Sequence, residues 1–127
     1  MAFFKRGKAS GEATGKASGL LLVTDRGVKH VRTASFGMDL VQEVARLLGS
    51  EHIRSTKLGD DLTLWHAEES PGRARPGGPN SAASALAAEY GSPAVTGPAV
   101  ITGPVLYGSP YPLDPDEVTR TATRLRG

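Results

Sequence analysis

The chain has 127 residues, 39% of them hydrophobic and 22% charged, with no cysteine and a formal charge of +2. The missing cysteine excludes disulfides, thiolate nucleophiles and cysteine-ligated zinc, and no apolar run approaches the roughly 18 residues of a membrane-spanning helix. The pI of about 9.2 belongs to the start of the chain: Lys5, Arg6, Lys8 and Lys16 stand against Glu12 alone, which leaves eleven basic and twelve acidic side chains in residues 20–127. A basic total is therefore no evidence of a basic surface.

Residues 1–19 hold the pentapeptide Gly-Lys-Ala-Ser-Gly twice, at 7–11 and 15–19, with no apolar periodicity. They are expected to form a disordered, flexible basic tail, leaving 20–127 as one domain. Residues 11–17 superficially match a phosphate-binding loop, but they are one residue short, have Ala17 in place of the magnesium-binding hydroxyl and follow no strand.

Two β-type runs at 20–24 and 28–33 flank Asp25-Arg26-Gly27, which predicts a hairpin with Gly27 in the left-handed position of a three-residue loop. Phe36, Leu40, Val41, Val44, Leu47 and Leu48 recur at helical spacing, so a helix is expected over 38–48 with Gly49 as its stop. A second hairpin follows, 52–58 and 62–67 around Gly59-Asp60-Asp61, with Leu62, Leu64 and His66 on one face and Thr63, Trp65 and Ala67 on the other. Residues 68–80, rich in proline and glycine, read as a mobile loop carrying Arg73 and Arg75.

Asn80 is a good N-cap for an alanine-rich helix over 81–90 that presents Ala82, Leu86 and Tyr90 on one side. Thr96-Gly-Pro-Ala-Val-Ile and Thr102-Gly-Pro-Val-Leu-Tyr then repeat a motif, and Pro98 and Pro104 confine the strand to 99–102 and suggest a sheet edge or a bulge. Asp114-Pro115-Asp116-Glu117 opens a last helix with Val118, Ala122 and Leu125 as its apolar stripe and Arg120, Arg124 and Arg126 toward its end.

The chemistry-bearing side chains are sparse. His66, Glu68 and Glu69, with Asp60 and Asp61, are the residue types of a hard-metal or acid/base site, yet their spacing matches no ligand pattern, and no serine sits in a nucleophile elbow. No metal, no cofactor and no enzymatic activity are therefore expected, and a metal-dependent enzyme built on His66, Glu68 and Glu69 stands as the third reading, behind the two given below. Trp65, central in its strand, reads as a core anchor.

The order of motifs is more informative than any one of them. A hairpin and a helix precede Gly59-Asp-Asp-Leu-Thr-Leu-Trp65, followed by Glu68-Glu69, Pro79-Asn80-Ser-Ala-Ala83 and Gly97-Pro-Ala-Val-Ile-Thr-Gly103. Over residues 20–113 this resembles a family of small proteins of actinobacteria, phages and plasmids classified as a domain of unknown function. The resemblance implies a small α+β domain linked to mobile elements or their hosts, with no catalytic residues to carry over.

The expectation is thus an α+β domain, two β-hairpins and a further strand in a mixed sheet packed by about three helices, mainly on one face, with a likeness to a β-grasp. The expected role is that of a cytoplasmic, non-catalytic protein-interaction or accessory module whose partner is met by Arg73, Arg75 and Asn80. The alternative is a nucleic-acid-associated protein using Lys5, Arg6, Lys8 and Lys16 together with the loop arginines. Strand 99–102 is the expected edge through which a dimer would pair.

Overall fold

A computed structural model describes residues 17–68 and 79–127. The first hairpin is formed by β1 (Gly19–Thr24) and β2 (Gly27–Arg32), with Thr24 opposite Gly27. Its loop is therefore Asp25-Arg26, one residue shorter than expected, and Arg26 N donates to Thr24 Oγ1 at 3.1 Å. Gly27, at φ 131, ends the turn rather than occupying the left-handed position within it. Strand β1 also takes in Gly19, which the tail boundary had excluded.

Helix α1 (Met38–Leu48) has the expected limits and stops at Gly49, which adopts φ 68 and ψ 29, but Phe36, expected on its apolar stripe, lies ahead of the helix and is exposed. A side chain other than glycine rarely takes that conformation. Strands β3 (Ile53–Leu58) and β4 (Leu62–Ala67) form the second hairpin. Helix α2 (Ser81–Glu89) follows, then β5 (Ala99–Thr102), the short pair β6 (Val105–Leu106) and β7 (Ser109–Pro110), and α3 (Pro115–Arg126). The last helix starts as its sequence requires: Asp114 Oδ1 accepts from Glu117 N at 2.9 Å, with Pro115 in the first turn.

The main sheet has five strands in the order β2-β1-β5-β4-β3. All four pairings are antiparallel, which narrows the mixed sheet of the sequence reading to a single sense. Strand β5 is not an edge. Ala99, Val100, Ile101 and Thr102 are each 0% exposed, and the strand is bonded to β1 on one side and β4 on the other. Its prolines lie outside the four paired residues, so no ladder donor is missing, and four buried side chains need cover on both faces. The edges are β2 and β3, which carry Lys29, Arg32, Arg54 and Lys57. Such charges oppose strand addition.

Both faces of the sheet are covered. Leu40, Val44 and Leu48 of α1 pack on Leu20, Trp65 and Val100, while α2 and α3 bring Ala83, Leu86, Ala87, Val118, Ala122 and Leu125 onto Leu21, Val23, Leu64 and Ile101 on the opposite face. The expectation of helices mainly on one face yields to a three-layer arrangement because the central strands are apolar on both sides. Within the α1 layer, Trp65 Nε1 donates to Thr102 Oγ1 at 2.8 Å, satisfying a buried indole N–H. No helix among the described residues is long and apolar enough to cross a membrane.

Candidate interaction surface

Beyond β5 the chain leaves the sheet and returns to it as a projecting hairpin. Gly103 N donates to Tyr111 O at 2.9 Å and Tyr111 N to Pro104 O at 3.1 Å, and the base is closed by Gly19 and Leu113, which exchange backbone bonds of 3.0 and 2.7 Å. Glycine is required at the first of these pairs. A Cβ on Gly103 would lie 2.7 Å from Pro112 O and 3.0 Å from Tyr111 O, both backbone atoms.

Leu106 pairs with Ser109, so Tyr107 and Gly108 form the two-residue tip, at φ 52 and 81. Positive φ at both central residues marks a type I′ turn, whose usual occupants are Asn and Gly. Tyrosine in that conformation costs about 1 kcal/mol, and Tyr107 is the only non-glycine with positive φ among the described residues. Among the described residues its side chain recovers nothing from packing, for it is fully exposed. A strained residue that holds an aromatic ring fully in water is an observation that motivates a functional reading.

The hairpin leans on the start of α1. Gly37 N donates to Pro110 O at 2.8 Å, and the rings of Phe36 and Tyr111 stack with centroids 5.6 Å apart and planes 4° from parallel. The resulting surface includes Phe36 at 58%, Met38 at 68%, Val105 at 41% and Leu106 at 49% exposure, with Tyr107 at its crest. On one side Val105, Leu106 and Pro104 border a cleft of about 390 Å³ shared with Lys57, Asp60 and Leu62. On the other a cleft of about 350 Å³ lies between Gly103, Pro104 and Leu113, the acids Asp61, Asp114 and Glu117, and Arg120, which pairs with Glu117. Acids therefore outnumber bases in the two clefts that flank the apolar crest.

The side chains singled out in the sequence are elsewhere. Lys5, Arg6, Lys8, Lys16, Glu69, Arg73 and Arg75 lie outside the described residues, as does most of the 68–80 loop. Asn80 is described, and its reading as an exposed contact is corrected. It is 2% exposed, its Oδ1 accepts from Ala83 N at 3.1 Å as the expected helix cap, and its Nδ2 donates to Val23 O at 2.9 Å and Gly97 O at 2.8 Å. A side chain with all these partners is part of the scaffold. Tyr90, expected on the packed side of α2, is instead 37% exposed, because the helix buries Ala83, Leu86 and Ala87.

Among its described members the acid/base constellation does not assemble. Asp60 and Asp61 stand at one end of β4 and His66 and Glu68 at the other, about 15 Å apart at the rise of a strand. Glu68 instead pairs with Arg54 at 3.2 Å, and His66 Nδ1 lies 3.1 Å from Ala67 O. Arg54 and His66 border a separate cleft of about 410 Å³ beside β3, with Thr56, Leu58 and the 92–96 segment. His30 lies on β2 with its Nε2 buried and unpartnered, His52 is exposed ahead of β3, and no group of three His, Asp or Glu able to hold a metal occurs among the described residues.

The projecting hairpin was not foreseen, because Thr102-Gly-Pro-Val-Leu-Tyr was read as the second copy of a repeat. The usable signal was Tyr-Gly between Val-Leu and Ser-Pro, a two-residue turn followed by a residue that cannot extend a ladder. The chain matches no protein-family model, and no curated protein and no solved structure matches it. The functional reading therefore rests on the surface itself.

Proposed function

We propose that the chain is a non-catalytic protein-interaction module, an accessory or regulatory factor of an actinobacterial or mobile-element system. Its contact surface is the hairpin between Gly103 and Leu113 together with Phe36 and Met38. The observation that carries this reading is Tyr107, a strained residue that is fully exposed and stands beside exposed Leu106. Contiguous exposed apolar side chains favour a partner surface, and aromatic residues supply much of the binding energy at such contacts. The acids around the crest favour a partner with basic groups at its rim.

The finer expectations belong to the same proposal. The link to actinobacteria, phages and plasmids rests on the motif order described above, and a cytoplasmic location on the absence of cysteine. The β-grasp likeness rests on two hairpins joined through one helix with a later strand inserted between them. Charged edges at β2 and β3 favour a monomer over a strand-paired dimer.

The test is recovery of partners from host lysate by the intact chain and by Leu106→Ser, Tyr107→Ser and Lys29→Ser variants, with nuclease treatment. A protein retained by the wild type and by the Lys29 variant, and lost with both hairpin variants, is the expected outcome. Recovery indifferent to Leu106 and Tyr107 would defeat the proposal. Recovery abolished by nuclease and by raised salt would transfer the function to nucleic-acid contact through Lys5, Arg6, Lys8, Lys16, Arg73 and Arg75.

A further inference from the structure

The end of the sheet that bears the hairpin has a second property: it is where the described chain begins. Ser18 O accepts from Thr33 N at 3.2 Å, and Gly19 is bonded to Leu113 at the base of the hairpin. The point from which residues 1–16 extend therefore lies at the same end as the exposed surface. They contain Phe3 and Phe4 followed directly by Lys5 and Arg6, with Lys8 and Lys16 further on and Glu12 as their one acid.

The surface has the complementary composition. Its crest is apolar, with Phe36, Met38, Leu106 and Tyr107 exposed. Around it Asp39 in the first turn of α1, Asp60 and Asp61 in the β3–β4 turn, and Asp114 and Asp116 at the start of α3 are all exposed. Among the described residues Arg32, Lys57 and Arg120 also stand toward this end, with Lys57 3.9 Å from Asp60 and Arg120 paired with Glu117. Length permits contact as well. From Phe4 to Ala17 an extended chain spans on the order of 45 Å, several times the ~13 Å radius of gyration of a domain this size.

We propose that the N-terminal segment docks in cis on this end of the fold, with Phe3 and Phe4 against the exposed crest and Lys5 and Arg6 over the acidic surround. The segment then occupies the surface assigned above to the partner, so the inference rests on that assignment, and it makes the partner's binding element a basic segment with adjacent aromatic side chains. A short tether supplies an effective concentration in the millimolar range, enough to populate a contact too weak to detect between separate molecules.

The absence of cysteine allows a direct measurement. A nitroxide on Ala2→Cys in the full-length chain broadens the amide resonances of whatever the segment touches. The expected result is selective broadening at residues 36–39 and 105–111 at roughly 0.05 M ionic strength, at least halved at roughly 0.5 M, where exposed charges are screened within a few ångströms. The broadening should also be lost when Phe3→Ser and Phe4→Ser are added. Broadening that only decays along the sequence from Ala17, or that centres on the far end of α3, would overturn the proposal. So would broadening seen only when label and isotope reside on different copies, which would assign the occupant to a second molecule.

The two proposals fail separately. Leu106→Ser and Tyr107→Ser without effect on partner capture would remove the partner reading while the nitroxide result stands. Unchanged capture by the Phe3→Ser, Phe4→Ser chain, where a severalfold gain is expected, would remove the competition while the partner reading stands.

Discussion

Replacing Asn80 separates two roles that its sequence position does not distinguish. As a helix cap alone, Asn80 needs only an acceptor, and aspartate serves as well as asparagine. Here the amide nitrogen also donates to Val23 O and Gly97 O, fastening the start of α2 to β1 and to the turn before β5, at a site 2% exposed. Asn80→Ala removes a cap interaction of about 1 kcal/mol and leaves two carbonyls short of a donor at about 1 kcal/mol each, a loss of about 3 kcal/mol. For a domain of this size that lowers the melting temperature by roughly 10 to 20 °C.

Asn80→Asp keeps the cap acceptor but turns a carboxylate oxygen toward two carbonyl oxygens in a dry site. The expected loss at neutral pH exceeds that of alanine. Those oxygens favour the neutral acid, so the folded-state pKa lies above the ~3.9 of an unfolded aspartate. The folded state then binds the proton more tightly. The penalty relative to wild type is accordingly small below about pH 4 and grows as the pH rises through the interval between the two pKa values. Urea unfolding followed by the fluorescence of Trp65, the chain's one tryptophan, measures both variants against wild type across that range. An aspartate variant within about 0.5 kcal/mol of wild type at neutral pH would refute the reasoning, since Asn80 would then be a cap and nothing more.

Three further outcomes are expected. Gly103→Ala meets backbone oxygens at 2.7 and 3.0 Å, so the hairpin must shift; a stability loss of about 2 to 3 kcal/mol and displaced amide resonances at Tyr111 and Pro104's neighbours check it. Thr102→Val preserves shape but leaves the buried Trp65 Nε1 without its acceptor; the expected loss in urea unfolding is about 1 to 3 kcal/mol. Tyr107→Asn places a preferred residue in the type I′ turn, so thermal stability should rise by the equivalent of about 0.5 to 1 kcal/mol while partner recovery falls. A variant both more stable and less active is what a residue retained for contact predicts.

Much of the local structure was legible because it depends on near neighbours. The limits of α1, the stop at Gly49, the two faces of β4 and the Asp114-Pro115 start of α3 follow from periodicity and capping, which operate within a few residues. The 99–102 strand was equally legible, but its place was not. Proline before and after a short apolar run is compatible with an edge or a centre, and the choice depends on whether other elements cover both faces. Asn80 shows the same division. Its cap bond to Ala83 lies three residues away, whereas its donors reach Val23 and Gly97 across the fold.

The candidate surface depended on tertiary structure throughout. The Tyr-Gly turn signal sets Tyr107 apart, but no local pattern separates Val105 and Leu106, which are exposed, from Val100 and Ile101, which are fully buried. The difference arises because the backbone oxygens of Tyr111 and Pro112 close over Gly103 and the chain turns back before it can extend β5. Phe36 and Tyr111, 75 residues apart by their numbers, meet because α1 begins where the hairpin returns. The sequence by itself determined the three helices and the five strands of the main sheet, but not the hairpin formed by β6 and β7. Only the packing of those segments decided which faces were already covered, because burial is settled by long-range contacts whose partners no local pattern specifies.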